Sequence, residues 1–142
     1  MARKIIIFAV FITGQLIFAG CSEQKTDEAV IIERISLLQK AIETHNSSQF
    51  MAIIDSQYYD QINTDRQALH AMLMVFFLRY KDISVFVNAT TINIQGIRAD
   101  AQSQLLLTGG KSIIPENARH YRVHSCWKKV SQQWLLSCLN WQ

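Results

Sequence analysis

The chain has 142 residues, 49% of them hydrophobic and 18% charged, with 1 Pro, 5 Gly and 3 Cys. That suffices for one domain, and it excludes both a disordered polypeptide, because apolar content this high buries a core, and a disulfide-dense miniprotein. The net charge of +3 comes with no basic run longer than Lys128-Lys129, so the clustered stripe of a nucleic-acid footprint is excluded too.

Residues 1–20 carry Arg3 and Lys4, no acid, and the apolar run Ile5 to Ile12, followed after Thr13-Gly14-Gln15 by Leu16 to Gly20. A basic start, a short apolar stretch and small residues at a cleavage point describe an export signal. Broken by Gly14 and Gln15, the run falls short of the ~20 residues that span a bilayer, so an uncleaved anchor is the lesser alternative. Its end, Ile17-Phe18-Ala19-Gly20-Cys21, resembles the lipobox of bacterial lipoprotein signals, with Phe18 where Leu is usual. The resemblance implies cleavage after Gly20 and lipidation of Cys21. Ser22, in place of Asp, resembles the sorting signal for the periplasmic face of the Gram-negative outer membrane. Loss of Arg3 and Lys4 lowers the net charge from +3 to about +1. The membrane, reached through the lipid, is the partner this segment implies.

Residues 22–28 are polar and read as a tether, leaving residues 29–142 as the domain. From Ala29 the period is helical: Ile31, Ile35, Leu38 and Ile42 share a face. Thr26 or Asp27 can cap this helix, and Asn46-Ser47-Ser48 ends it and caps a second from Gln49 to Tyr59, with Phe50, Ile53 and Ile54 inward. Thr64-Asp65-Arg66-Gln67 has the form of a capping box. The third helix it opens carries Leu69, Met72, Leu73, Phe76 and Tyr80, and its centre, Ala71 to Leu78, reads as core. Beyond Asp82 the period becomes two: Ile83, Val85 and Val87 form one strand, Ile92 and Ile94 another. Gln95-Gly96-Ile97-Arg98 turns the chain into a third strand over 99–108, and Arg119 to Val130 and Trp134 to Trp141 make a closing hairpin. Helices first and antiparallel strands after them make an α+β fold.

This order, with Ile35-x-x-Leu38-x-x-Ala41-x-Glu43-x-His45-Asn46, Phe50-x-x-Ile53-Ile54, Tyr58-Tyr59-Asp60, Tyr121-x-Val123, Trp127-Lys128-Lys129-Val130 and Trp134-Leu135-Leu136, resembles the nuclear-transport-factor-2-like superfamily. Its members wrap a curved antiparallel sheet around N-terminal helices in a cystatin-like cone. The last segment departs from the superfamily, with Ser131-Gln132-Gln133 in place of an Asp-Gly-Lys turn. The resemblance implies a pocket between helices and concave sheet, and a homodimer formed through the sheet in many relatives. Some relatives are isomerases, dehydratases or cyclases and others only bind, so the fold leaves activity open.

Chemistry of the enzymatic kind needs a carboxylate or His base in the pocket. Asp55 and Asp60 follow the second helix in a segment expected at the surface, and Asp100 starts a strand beside a turn. His45 is expected to close the first helix, and His70 borders an apolar stripe. No catalytic residue is therefore assigned, and no cofactor. His120, Arg122 and His124 share one strand face and form the most polar cluster able to contact a ligand, with Trp127, Phe76 and Tyr80 as apolar candidates whose simpler reading is core packing. As a metal pair His120 and His124 fail, being roughly 13 Å apart along a strand. His124 with Cys126 and Cys138 lacks a fourth ligand, so no metal is assigned and a disulfide is expected in an oxidising compartment. A three-residue turn at Ser131-Gln132-Gln133 sets Cys126 opposite Cys138 and is favoured; a two-residue turn at Ser131-Gln132 sets Cys126 opposite Ser137. The expected function is an envelope lipoprotein that binds a small apolar ligand or a protein partner. An enzyme acting on a small hydrophobic carbonyl compound and an accessory subunit of an envelope complex are the alternatives.

Overall fold

A computed structural model describes residues 25–109 and 119–142. The expected signal, Cys21 and the segment around Pro115 lie outside the described residues. Three helices, α1 (Asp27–Glu43), α2 (Ser47–Met51) and α3 (Arg66–Arg79), precede four strands, β1 (Ile83–Gln95), β2 (Arg98–Gly109), β3 (Arg119–Val130) and β4 (Gln133–Trp141). The strands form one antiparallel sheet in the order β1-β2-β3-β4. Among the described residues no helix is long and apolar enough to cross a membrane.

Helix α1 starts where its cap dictates. Thr26 Oγ1 accepts from Ala29 N–H at 3.2 Å, Asp27 and Glu28 lie at the positive end of the dipole, and Lys40 at the negative end. Ile31 and Ala41 are fully buried against the sheet. The chain leaves the helix through His45, whose φ of 54° reverses it, and Asn46 Oδ1 caps α2 by accepting from Gln49 N–H at 2.9 Å. His45 closes this end as expected: its Nε2 lies 2.8 Å from the Tyr80 carbonyl oxygen and its ring packs on Phe77.

Helix α2 is shorter than the Gln49–Tyr59 helix expected from the sequence. The chain abandons it to pair with β4: Leu136 N–H donates to Ile53 O and Asp55 N–H donates to Leu136 O, both at 2.9 Å. Strand pairing in the tertiary fold overrides local helix propensity there. Helix α3 is capped by Asp65, which accepts from Ala68 N–H at 2.8 Å; the cap lies one residue beyond Thr64, and with Ala68 at the third helical position the reciprocal half of the expected box is missing. Leu73 and Phe77 are buried, but Met74, Val75 and Leu78 are 42%, 63% and 71% exposed. That corrects the reading of Ala71 to Leu78 as core. The helix is apolar on nearly every side, so its sequence could not say which face turns inward.

The two strands expected over Ile83–Val87 and Ile92–Ile94 are one strand with a bulge at Asn88, where the pairing steps from Val87↔Leu105 to Ala89↔Gln104. The extra residue changes which alternate positions face inward, from Val85 and Val87 to Thr90 and Ile92. The outward backbone groups of Val85 are bonded by α1: Gln39 Nε2 donates to its carbonyl at 2.7 Å, and its N–H donates to Glu43 Oε1 at 2.9 Å. This covers part of an otherwise open sheet edge.

The closing hairpin combines features of both expected registers. Its turn has two residues, Ser131 and Gln132, with φ of 47° and 66°, and it pairs Val130 with Gln133. That corrects the favoured three-residue turn. A bulge at Ser137 then inserts one residue, so Trp127 faces Leu136 while Cys126 still faces Cys138. The two cysteines form a disulfide with Cα atoms 4.9 Å apart. The inward residues of β4 are consequently Trp134 and Leu136 before the bulge, and Leu139 and Trp141 after it. Asp27 Oδ1 locks the hairpin to α1 by accepting from Lys129 Nζ at 2.7 Å and from the Trp134 indole at 2.9 Å.

Candidate ligand-binding cavity

A cavity of about 390 Å³ opens between the helices and the concave face of the sheet. That lies within the ordinary range of small-molecule sites. Helix α1 contributes Ile35, Leu38 and Ile42, and α3 contributes Leu69, Met72, Leu73 and Phe76. The strands supply alternate residues, Leu105 and Leu107 from β2 and Val123 and Trp127 from β3, while Leu136 and Leu139 of β4 share the face across the Ser137 bulge. Trp127, 1% exposed, forms the floor.

Four polar side chains interrupt this surface: Gln39, Ser103, Tyr121 and Ser125. Three are engaged with the protein. Gln39 holds the Val85 carbonyl, Ser103 Oγ lies 3.0 Å from Thr90 Oγ1, and Ser125 Oγ donates to the Ala101 carbonyl while accepting from the Trp127 indole at 2.9 Å. Among the described lining residues there is no Asp, Glu, His, Lys or Arg, and Tyr121 is the one ionisable group. The period-two pattern from Ala99 to Leu107 carried the signal for Ser103. Nothing local marked Gln39, whose role depends on where β1 docks.

Of the expected ligand contacts, Trp127 and Phe76 line the cavity. Tyr80 does not: it ends α3, is 41% exposed, and packs its ring on Phe76 at 4.9 Å. His120, Arg122 and His124 alternate with Tyr121 and Val123, which face inward, so all three stand on the convex face, away from the cavity. There His124 Nε2 lies 3.1 Å from Asp100 Oδ1.

Asp55 and Asp60 are buried, 4% and 7% exposed, where surface positions were expected. Each folds back on its own turn: Asp55 Oδ1 accepts from Gln57 N–H at 2.9 Å, and Asp60 Oδ1 from Ile62 and Thr64 N–H at 3.0 and 2.8 Å. These are turn-stabilising carboxylates of the Asx type, and neither lines the cavity. Burial first, and then the Asp60 carboxylate nearby, pushes the Tyr58 phenol above its ordinary range.

No family model and no curated protein matches the sequence. Solved structures do match the shape. A cystatin-like protein of unknown function from Nostoc punctiforme superposes with a TM-score of 0.69 at 12% identity, over 81% of this chain and 89% of that one. A protein of unknown function from Pseudomonas putida, described as similar to nuclear transport factor 2, gives a TM-score of 0.69 at 14% identity, over 79% and 82%. The fold is the nuclear-transport-factor-2-like cone. The same shape carries a hexachlorocyclohexane dehydrochlorinase from Novosphingobium barchaimii, with a TM-score of 0.66 at 13% identity over 81% and 84%. At such identities the likeness establishes the cone and leaves its contents to be argued from this chain's own residues.

Proposed function

We propose that the chain is a lipid-anchored envelope protein whose cone binds a small apolar molecule without transforming it. The observation that carries the binding role is the cavity wall: about 390 Å³ enclosed by aliphatic and aromatic side chains, with its serines and Gln39 already bonded to the protein. A ligand with charged or numerous polar groups would lose its hydration there without replacement partners. The enzymatic alternative draws support from the dehydrochlorinase of the same fold. It needs a base at the reacting carbon, and the described lining offers Tyr121 alone. Helix α3 favours a second reading, an accessory subunit of an envelope complex, because the exposed apolar side chains of Met74, Val75 and Leu78 lie together on one helix. Anchoring at Cys21 rests on the sequence and predicts a chain beginning at an acylated Cys21, which mass spectrometry of protein recovered from membranes would read.

The binding role is tested by titrating purified protein with 1-octanol and with octanoate, following tryptophan fluorescence from Trp127 at the cavity floor. Saturable binding of the alcohol is expected, at least tenfold tighter than that of the carboxylate. Leu105→Trp, which fills the cavity with apolar volume, should abolish it. Equal binding by wild type and Leu105→Trp would refute the cavity as the site.

A further inference from the structure

The convex face of the sheet, opposite the cavity, gathers a set of donor groups from three strands. Cys126 on β3 is the direct cross-strand partner of Cys138 on β4 and of Asp100 on β2. His124, two residues before Cys126 and so on the same face, lies 3.1 Å through Nε2 from Asp100 Oδ1. A ring nitrogen of His124 and the sulfurs of Cys126 and Cys138 all lie within 4.8 Å of one another. In a tetrahedral zinc site, bonds of about 2.3 Å to sulfur and 2.0–2.1 Å to nitrogen set donor atoms roughly 3.5–3.8 Å apart. Small side-chain rotations cover that difference, because the sheet already places the backbones.

We propose that Cys126, Cys138 and His124 form a redox-gated site for a thiophilic metal ion, zinc being the divalent case, with Asp100 orienting the histidine. Sequence spacing supplies three donors and no fourth; the strand order adds Asp100 and explains its place. A metal-bound histidine ordinarily gives its other ring N–H to a carboxylate, which fixes the tautomer and makes the ring a better donor. In the proposed site Asp100 accepts from Nε2–H, and Nδ1 is the nitrogen that takes the ion. Two thiolates and one imidazole leave one tetrahedral position for water, and the half-exposed position of all three donors gives solvent access to it.

Disulfide and metal exclude each other, since both use the same two sulfurs. A dithiol reductant supplies two electrons and two protons, the Cys126–Cys138 bond breaks to give two thiols, and the reductant closes its own disulfide. Binding of a divalent ion then releases both thiol protons to solvent, because the thiolate is the ligand. A disulfide oxidant reverses the sequence: it takes two electrons and two protons from the cysteine pair and leaves as a dithiol, and the re-formed Cys126–Cys138 bond expels the ion. The face would thus report the thiol–disulfide state of its surroundings independently of what fills the cavity.

The test is a cobalt(II) titration of purified full-length protein, carrying Cys21→Ser in every sample so that two thiols remain. Samples are oxidised or reduced with a phosphine, which is removed before the metal is added. Reduced protein should take up one cobalt per chain, with thiolate charge-transfer absorption and tetrahedral visible bands that zinc bleaches. Oxidised protein and Cys126→Ser/Cys138→Ser should show neither. His124→Ala should weaken binding at least tenfold, and Asp100→Asn about tenfold through the orientation of the ring. Cobalt uptake that is absent from reduced protein, that persists in the double serine variant, or that ignores His124→Ala would overturn the proposal. Circular dichroism follows the same samples. A chain that loses its strand signal on reduction would overturn it too, because the sheet is what assembles the donors.

Discussion

Replacing Glu43 with Ala should destabilise the domain through a backbone group in another element. Glu43 Oε1 is the acceptor of the Val85 N–H, at 2.9 Å and 42 residues away in sequence. Val85 is 3% exposed and its N–H points away from β2, so no strand can take over the bond. Stranding a buried donor costs about 1–3 kcal/mol, and the part-buried setting of this carboxylate argues for the lower half, about 1–2 kcal/mol. For a domain of this size each kcal/mol lowers Tm by roughly 4 °C, so a fall of about 4–8 °C is expected. Glu43→Gln keeps an acceptor oxygen in place and should cost about half as much. Gln39→Ala, which frees the Val85 carbonyl, should cost about 1 kcal/mol. Both bonds hold Val85, so the double variant should depart from the sum of the single changes by about 0.5 kcal/mol or more. Urea unfolding followed by tryptophan fluorescence measures the wild type and all four variants, since Trp127 and Trp134 are each 1% exposed and report core opening. A Glu43→Ala midpoint indistinguishable from wild type at unchanged m-value would refute the clamp and imply that β1 has another partner along this edge.

Asp27 predicts an acid limb in stability. The Lys129 ammonium, and after it the Trp134 indole, hold its carboxyl below the ordinary carboxylate range. A depressed folded pKa contributes stability fully present above the unfolded value of about 3.9, and that contribution is lost as pH falls through the lower folded value. Asp27→Asn should therefore be less stable than wild type at pH 7, and the two urea midpoints should converge as pH is lowered toward 2; a gap independent of pH would contradict this. At the closing turn, Ser131 and Gln132 both adopt left-handed φ, which costs non-glycine residues roughly 1–2 kcal/mol each. Ser131→Asn with Gln132→Gly, the pair suited to a two-residue turn of this hand, should raise stability by about 1–2 kcal/mol in the same assay. No gain would mean that the turn is held by its flanking bulge and disulfide.

Much of the architecture was legible in local pattern. Caps at Thr26 and Asn46, the apolar stripe of α1, the Gly96 turn and the switch from helical to alternating period each report on neighbours a few residues apart. The element order that follows from them gave an α+β arrangement, and the cone came from the resemblance of that order and its motifs to a known superfamily. Errors cluster where an element's fate depended on something distant. Helix α2 was overextended because Ile53 and Asp55 bond to Leu136, and Asp55 and Asp60 were set at the surface because their turns are buried by packing.

The cavity and the convex face divide along the same line. Alternation along β3 separates His120, Arg122 and His124 from Tyr121, Val123 and Trp127 by sequence alone, but which set faces the helices is decided by how the sheet curls around them. The pairing of Cys126 with Cys138 could be anticipated, yet it survives a two-residue turn only because a bulge at Ser137 restores the register. A bulge shifts every later side chain to the other face, and its position depends on contacts across the sheet. Sequence by itself determined the order of helices and strands and the apolar character of the interior, which are properties of short range. Only the tertiary structure decided which face each strand offers to the cavity, what caps Val85 and where Asp100 stands beside His124, because those depend on register and on strands that meet far apart in the chain.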